Sequence, residues 1–383
     1  MDKHIIDDVD GFCKELRPIE DLCYLERRYN DQLVPLARKY RLLGIHVPRE
    51  LDGRGADEYT YVRSLVRIGM EGSGIRSFFS AHSSLAQSTL LRYGNDKQYE
   101  DYLKPSVRGE KILAFALTEP DAGSNPLDMR TTARLDGDHY ILNGTKYLIT
   151  NATIADAIIV FAKTDSSRIS AFVIDIDESV EAEELTAKMG TPTTDTGMFE
   201  LSNYRVARDN LIGREGEGWD IAKEALMNGR LSVAAGCVGS IKDCLAEVVR
   251  YSKERVQYGK PIAKHQLIQE HIAAIRVNLS ASTAILNRAV ALKERWERDS
   301  DNKNLKRIAD RAIAEAKLFC SSAAYDASDR AVQIFGGRGW SYLYRVGRHF
   351  VDNRVCRIYE GTDEILKLKI ASSILGKEFR AYS

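Results

Sequence analysis

Residues 131–177 constrain this chain most, because they cannot be read as helix. "TTARLDGDHYILNGTKYLITN", Thr131 to Asn151, carries two turn dipeptides, Asp136-Gly137 and Asn143-Gly144, each flanked by alternating or β-branched residues. Such pairs supply the positive φ angles of tight β-turns, so each predicts a hairpin. "DAIIVFAKT" and "RISAFVIDID" follow as short, strongly apolar strands. The block predicts an antiparallel meander, without the strand–helix alternation of a parallel sheet.

On both sides the periodicity is helical. "YNDQLVPLARKYRLLGI" and "GIRSFFSAHSSLAQSTLLRYG" space their apolar residues by three and four. From about Glu217 the pattern returns. Val238, Ile241, Leu245, Val248 and Val249 form one apolar stripe, and "LKRIADRAIAEAKLFCSSAAYDASDRAVQIFGG" a second. The expectation is an α+β chain with an N-terminal helical domain (1–110), a middle antiparallel β domain (111–216) and a C-terminal four-helix-bundle domain (217–383). At 383 residues the chain is long enough for two or three such units.

Composition excludes several classes of function. Lys plus Arg and Asp plus Glu balance at 55 each, which leaves no electrostatic footprint for nucleic acid. No apolar run approaches the roughly 18 residues of a membrane span. The opening "MDKHIIDDVD" is acidic and resembles neither a secretory signal nor a transit peptide. Six cysteines (Cys13, Cys23, Cys237, Cys244, Cys320, Cys356) show no paired spacing, as expected of reduced thiols in a cytoplasmic protein. The seven histidines include no i, i+4 pair, so no metal site is expected.

Two local features carry chemistry. In "LTEPDAGSN", Thr118, Gly123 and Ser124 offer hydroxyls and open backbone N–H groups that can wrap a phosphate or a heteroaromatic edge; such a run also reads as a plain turn. No G-x-x-x-x-G-K-[ST] is present, and "GREGEGW" lacks the strand–turn–helix context of a dinucleotide fold. A flavin or nucleotide would therefore bind without one. In "RIYEGTDEIL", Gly361 interrupts a helical pattern beside the carboxylate of Glu360. A mid-helix glycine costs about 1 kcal/mol relative to alanine. It predicts a backbone that bends or approaches something closely, or else a loop with a solvated glutamate.

"LTEPDAGSN", "NGTKYLITN", "ERVQYGKPIAKHQLIQ", "VQIFGGRGW" and "RIYEGTDEI" occur in this order along the whole chain. The set resembles the acyl-CoA dehydrogenase family of flavoproteins. That resemblance implies FAD held between the β domain and the C-terminal helices, across the interface of a homodimer or homotetramer. Leu117, Thr118, Gly123 and Ser124 would meet its ring and diphosphate, and Leu148, Ile149 and Thr150 would cover the ring. Arg255, Gln257 and Tyr258 would reach FAD of the neighbouring subunit. Gln333, Gly336 and Gly337 would flank the adenosine half, with Thr362 and Glu364 completing the cofactor set.

By the same resemblance Glu360 is the catalytic base. It would take the α-proton of an acyl thioester while the β-hydrogen leaves as hydride to flavin N5. The thioester carbonyl would be polarised by the Glu360 N–H and a ribityl hydroxyl. Some branches of the family place the base immediately before the arginine that corresponds to Arg230; here that residue is Gly229, which leaves Glu360. Ser124, Arg230, Tyr359 and Gly361 would line the substrate.

The Arg76-Ser77 pair is similar to the segment by which glutaryl-CoA dehydrogenases hold a distal carboxylate, and to dehydrogenases acting on acyl carrier protein in polyketide pathways. Electron-transfer flavoprotein or another acceptor would take the electrons. Arg76 has a simpler reading as an ion-pair partner of an acid such as Glu71. Two residues depart from the family pattern: Leu148 stands where tryptophan is usual, and Met227 where an acid or asparagine helps hold CoA, which weakens the case for free CoA. Alternatives are an oxidase or monooxygenase of the same fold, which Glu360 opposes, or a catalytically inactive scaffolding homologue, which Glu360, Thr118, Ser124 and Arg255 oppose.

Overall fold

A computed structural model describes residues 2–164, 168–379 and 381. The Asp2 carboxylate starts helix α1 (Lys3–Glu26) by accepting from the backbone N–H groups of His4 at 3.0 Å and Ile5 at 3.4 Å. After α2 (Leu33–Lys39), Asp57 caps α3 (Glu58–Gly69) through the N–H of Thr60 at 2.7 Å. Helix α4 (Ser73–Phe79) runs on through a π-helical stretch, Ser80–Gln87, into α5 (Ser88–Tyr93). Short helices α6 (Asp96–Gln98) and α7 (Lys104–Arg108) complete this first region.

Among the described residues eight strands follow: β1 (Leu113–Ala116), β2 (Thr132–Asp136), β3 (His139–Thr150), β4 (Ala157–Lys163), β5 (Ile169–Asp175), β6 (Ala182–Glu184), β7 (Thr196–Ala207) and β8 (Leu211–Ile212). They order as β6-β7-β3-β2-β4-β5-β8, with β1 beside β4. The Asp136-Gly137 hairpin forms as expected, closed by the Asp136–His139 pair with Gly137 at φ 65°.

Asn143-Gly144 makes no hairpin. It lies inside β3, where the register steps from Leu142 opposite Tyr204 to Gly144 opposite Leu201. A Cβ on Gly144 would fall 2.5 Å from Thr131 Oγ1, so the glycine admits a close approach there. A dipeptide able to adopt positive φ serves a bulge as readily as a turn. The sheet is also mixed, which corrects the expected antiparallel meander. β1 pairs parallel to β4 over four residues, Leu113–Ala157 to Ala116–Val160, and β2 meets β4 in parallel at Thr132–Lys163. Pairings between segments this far apart leave no local mark in the sequence.

Helix α8 (Gly218–Glu254) leads through the small hairpin β9 (Val256–Gln257) and β10 (Lys260–Pro261) to α9 (Gln266–Arg298), α10 (Lys303–Phe335), α11 (Arg345–Cys356) and α12 (Asp363–Leu375). One apolar core runs through both helical regions, joining Val9, Phe12, Leu65 and Phe79 to Leu231, Ile241, Leu286 and Ile313. α3 meets α8 backbone to backbone: a Cβ on Gly69 would lie 2.6 Å from the Cα of Gly236. Separate cores cover the two faces of the sheet. Among the described residues no helix is long and apolar enough to cross a membrane.

Candidate active site

Helix α11 stops at Cys356 and α12 starts at Asp363, with the Thr362 hydroxyl as its cap on Ile365 N–H. The turn between them holds Glu360 at φ 57° and Gly361 at φ 99°. The left-handed conformation costs a residue with a Cβ about 1–2 kcal/mol, so surrounding groups must enforce it. Arg230 Nε, on α8, donates to the Glu360 carbonyl at 2.9 Å, and Lys317 Nζ, on α10, to the Gly361 carbonyl at 2.7 Å.

This turn lays the Glu360 carboxyl directly against α8. A Cβ on Gly229 would come 2.5 Å from Glu360 Cδ and both carboxyl oxygens. Burial lifts the Glu360 pKa to about 7, against the pull of Arg230, Arg76 and Lys317. Its Oε2 is buried without a hydrogen-bond partner, and no described residue accepts from its backbone N–H.

The carboxyl opens on a cavity of 140 Å³ walled by α4, its π-helical continuation, β1, the end of β3, α8 and the Tyr359-Glu360 turn. Arg76, Ser77, Leu117, Thr118, Leu148, Ile149, Thr150, Tyr359 and Glu360, all named from sequence, come together here. Arg76 is 2% exposed. Its Nη2 contacts Ser77 Oγ at 2.9 Å and the Tyr359 hydroxyl, and its guanidinium lies 5.4 Å from the Tyr359 ring centre. Burial works against that charge, but Tyr359, Cys356, Cys237 and Glu360 more than offset it and the Arg76 pKa is raised.

Glu71 is not its partner, since that carboxylate is taken by Arg17 at 2.7 Å, Arg67 at 2.6 Å and Arg345 at 3.6 Å. The ion-pair reading of Arg76 with Glu71 is therefore corrected. Gly236 makes room for the guanidinium, because a Cβ there would lie 2.9 Å from Arg76 Nε.

Sequence reading missed Ser80, whose buried Oγ lines the same cavity and has no hydrogen-bond partner. Its position four residues after Arg76 in a helical pattern was the available signal. It also missed Lys317, whose signal was a cation on the apolar stripe of α10. Of the remaining named residues, Arg230 holds the Glu360 carbonyl instead of lining the cavity, and Gly361 forms the turn.

The loop Leu117–Asn125 is pinned beneath by a buried pair, Lys146 Nζ to Glu119 Oε1 at 2.8 Å, and by Tyr147 N–H on the Thr118 carbonyl at 3.0 Å. β3 then bulges, passing from Lys146 opposite Phe199 to Ile149 opposite Gly197. Leu148 sits in that bulge at φ 60° and is half exposed. Gly123 and Ser124 lie on the outer, exposed part of the loop.

Arg255, Gln257 and Tyr258 sit at the β9–β10 hairpin, where Tyr258 is 94% exposed. Gln333, Gly336 and Gly337 lie exposed at the end of α10, and Glu364 is exposed on α12. None of these lines the cavity. Met227 is buried in the helical core, 2% exposed.

Comparison with known proteins covers nearly all of the chain. Residues 2–110 match the acyl-CoA dehydrogenase N-terminal domain, 114–204 its middle domain and 216–375 its C-terminal domain. A 3-(aryl)acrylate reductase of Clostridium sporogenes is 37% identical over 94% of this chain and 95% of its own length. CarC, a subunit of the caffeyl-CoA reductase-Etf complex of Acetobacterium woodii, is 36% identical over 91% of each. The structure of a glutaryl-CoA dehydrogenase from Mycobacterium smegmatis in complex with FADH2 superposes with a TM-score of 0.90 at 27% identity, covering 100% of this chain and 97% of that one. A partly buried glutamate in a left-handed turn beside a cavity, in a helical–β–helical chain matched along all three domains, leads to one conclusion: the chain belongs to the acyl-CoA dehydrogenase family.

Proposed function

We propose that this protein is an FAD-dependent oxidoreductase that interconverts a short acyl thioester and its α,β-unsaturated counterpart, with Glu360 as the proton-transfer group. One observation carries the reading: Glu360 lines the cavity, one of its carboxyl oxygens is buried without a hydrogen-bond partner, and no described residue accepts from its backbone N–H. The residues around that cavity fit a flavin. Thr118, Leu148, Ile149 and Thr150, from the loop after β1 and the end of β3, form one wall beside Glu360, with hydroxyls and apolar groups that suit a heteroaromatic ring.

FAD, when bound, supplies the two-electron acceptor for the β-hydride. Thr118, Ser124, Leu148, Ile149 and Thr150 would hold it. Arg255, Gln257 and Tyr258 would reach the FAD of a second copy in a homodimer or homotetramer, and Gln333, Gly336 and Gly337 would let backbone approach the adenosine half. Arginine suits a diphosphate because its fork donates paired, charge-assisted hydrogen bonds.

The chain's own residues do the proton chemistry. With the acyl thioester in the cavity, the Glu360 N–H polarises the carbonyl and its carboxylate takes the α-proton. A pKa of about 7 leaves both forms of Glu360 populated near neutrality. The same carboxyl can then return the proton when an unsaturated thioester is reduced. That direction is the one named for the two reductase relatives.

Arg76, Ser77 and Ser80 give the cavity a polar face, and a desolvated guanidinium in ion-pair contact with no described carboxylate favours a polar or anionic acyl tail. The thiol carrier is CoA or acyl carrier protein. The electron partner is electron-transfer flavoprotein, with which CarC shares a complex. A cytoplasmic setting and units at 1–110, 111–216 and 217–383 belong to the same proposal, and six free, buried cysteines suit a reducing compartment.

The test is anaerobic flavin bleaching with butyryl-, glutaryl- and hydroxyacyl-thioesters, plus reoxidation of reduced enzyme by the unsaturated ones. Glu360→Gln should keep FAD and lower the bleaching rate by at least about 1,000-fold, within the range that a positioned general base supplies. Arg76→Met should cost the polar substrates about 100-fold and spare butyryl. Bleaching of Glu360→Gln at the wild-type rate would remove the base assignment, and an unchanged substrate order in Arg76→Met would remove the tail assignment.

A further inference from the structure

Lys317 stands in the middle of α10 among Ile313, Ala316 and Cys320, and none of it is exposed. The hydrogen bond its ammonium makes goes to the carbonyl oxygen of Gly361, at 2.7 Å. Burial lowers its pKa below the usual lysine value. The groups facing it from the packed elements act the other way: Cys356 on α11, Cys237 on α8, Asp363 at the start of α12, and Glu360. An apolar side chain of similar length would fill the same place without the cost of desolvating a charge. The ammonium therefore needs a reason that packing does not give.

The turn it touches supplies one. Arg230 from α8 holds the Glu360 carbonyl at 2.9 Å, and Lys317 from α10 holds the next carbonyl along. Gly361 is at φ 99°, and a glycine crosses between φ signs with little hindrance. The peptide after Gly361 is thus the joint at which this turn rotates most easily. Rotation there would swing the Glu360 carboxyl out of the gap left by Gly229 and reorient the N–H of the same residue. A fixed acceptor contact at the Gly361 oxygen blocks that motion.

We infer that Lys317 is a positioning residue, whose ammonium locks the Gly361 carbonyl and so keeps the Glu360 carboxyl and N–H aimed together into the cavity. This inference rests on Glu360 as the proton-transfer group. Lys317 does not line the substrate cavity. It acts through the backbone of the turn and, by its charge, favours the ionised form of Glu360 alongside Arg230 on α8 and Arg76 on α4.

The experiment compares wild type, Lys317→Met and Lys317→Gln as FAD-loaded proteins. Flavin reduction is followed at saturating thioester, thioester Kd is read from the flavin spectrum, and both are taken across pH. In Lys317→Met the reduction rate should fall by about 100-fold, as misplacement of a reacting group by an ångström does, while Kd moves by no more than about threefold. The acid limb of the rate should shift to higher pH, because a charge favouring the carboxylate is gone. Lys317→Gln keeps a donor for the Gly361 oxygen, so it should recover much of the rate and still show the shifted limb.

The inference is overturned if Lys317→Met reduces its flavin at the wild-type rate, or if the rate falls only in proportion to lost FAD or lost fold. Should Lys317→Met not fold, Lys317→Gln decides by the same readouts. If neither folds with FAD, the lysine serves folding and the inference fails. Glu360→Gln run in parallel separates the two levels. An inactive Glu360→Gln beside a fast Lys317→Met removes only the role of Lys317, whereas a fast Glu360→Gln removes the base itself.

Discussion

A single missing methyl group admits the Glu360 carboxyl to the cavity wall. Gly229 lies within a 37-residue helix, where glycine is intrinsically poor, and the carboxyl occupies the volume that any side chain there would take. Alanine at 229 improves helix propensity by about 1 kcal/mol. It also places a carbon 2.5 Å from the Glu360 oxygens, so the Glu360 carboxyl must move. Gly229→Ala should therefore leave the melting temperature unchanged or raised, while flavin reduction drops by about 100-fold. The measurement pairs calorimetry with anaerobic reduction kinetics. A variant as fast as wild type would mean that Glu360 tolerates a different seat. Sequence reading reached Glu360 and Arg76 because a motif and a resemblance singled them out. It passed over Ser80 and Lys317, because their helical spacing from Arg76 and from the α10 apolar stripe marks a face but not what that face meets until the neighbouring helices are placed.

The element that approaches the cavity from the β domain is the loop after β1, and a buried ion pair holds it. Lys146, fully buried on β3, meets Glu119 of the loop at 2.8 Å, and Glu119 also accepts from the backbone N–H groups of Arg130 at 2.5 Å and Thr131 at 3.1 Å. Burial draws the Lys146 pKa down to about 8 even with Glu119 beside it. Removing one partner of such a pair leaves the other charge buried and alone, which costs about 3–5 kcal/mol. Lys146→Met should lose stability on that scale and bind FAD more weakly, because Thr118 sits directly before Glu119. The double variant Glu119→Gln with Lys146→Met should regain most of the stability. Urea denaturation and FAD titration read both effects, and a single variant as stable as wild type would show that the loop is held by other contacts. The Asn143-Gly144 bulge and the Leu148 bulge lie on β3, the strand that carries Lys146. Dipeptide composition signals positive φ, but whether it ends a strand or kinks one depends on what lies across the sheet.

At the scale of the whole molecule, His82 ties the first helical region to the sheet. Its Nδ1 accepts from Leu113 N–H at 3.0 Å and its Nε2 meets the Ser106 carbonyl at 3.2 Å, which together select the neutral ring protonated at Nε2. Burial lowers its pKa from 6.5 to about 4. A base whose folded pKa is depressed contributes fully above its unfolded pKa, and that contribution is lost as pH falls through 6.5 toward 4, about 3 kcal/mol across the window. His46, lowered to about 3, adds in the same sense. Glu20, raised to about 7, and Asp352, raised to about 6, act oppositely, since buried carboxyls stabilise the fold as they become protonated. Comparing His82→Gln with wild type by denaturation at pH 4.5 to 7 cancels those shared terms. The variant should be less stable at pH 7, and the gap should close as the pH falls. A gap that stays constant would mean that His82 is not kept neutral by its surroundings.

The order helical, β, helical was settled by the chain alone, because periods of 3.6 and 2 and the Asp136-Gly137 turn act over a few residues. The Tyr-Glu-Gly-Thr interruption was legible as a place where the backbone could bend, although glycine alone does not break a helix, since Gly229 and Gly236 sit inside α8. Tertiary structure decided the rest. It set β1 parallel to β4, turned Asn143-Gly144 into a bulge and buried Met227 in the core. It also left Arg76 without Glu71 and brought two cations from different helices onto adjacent carbonyls of one turn. Each of these depends on groups dozens to hundreds of residues apart, and only packing fixes which of several locally acceptable neighbours a residue meets.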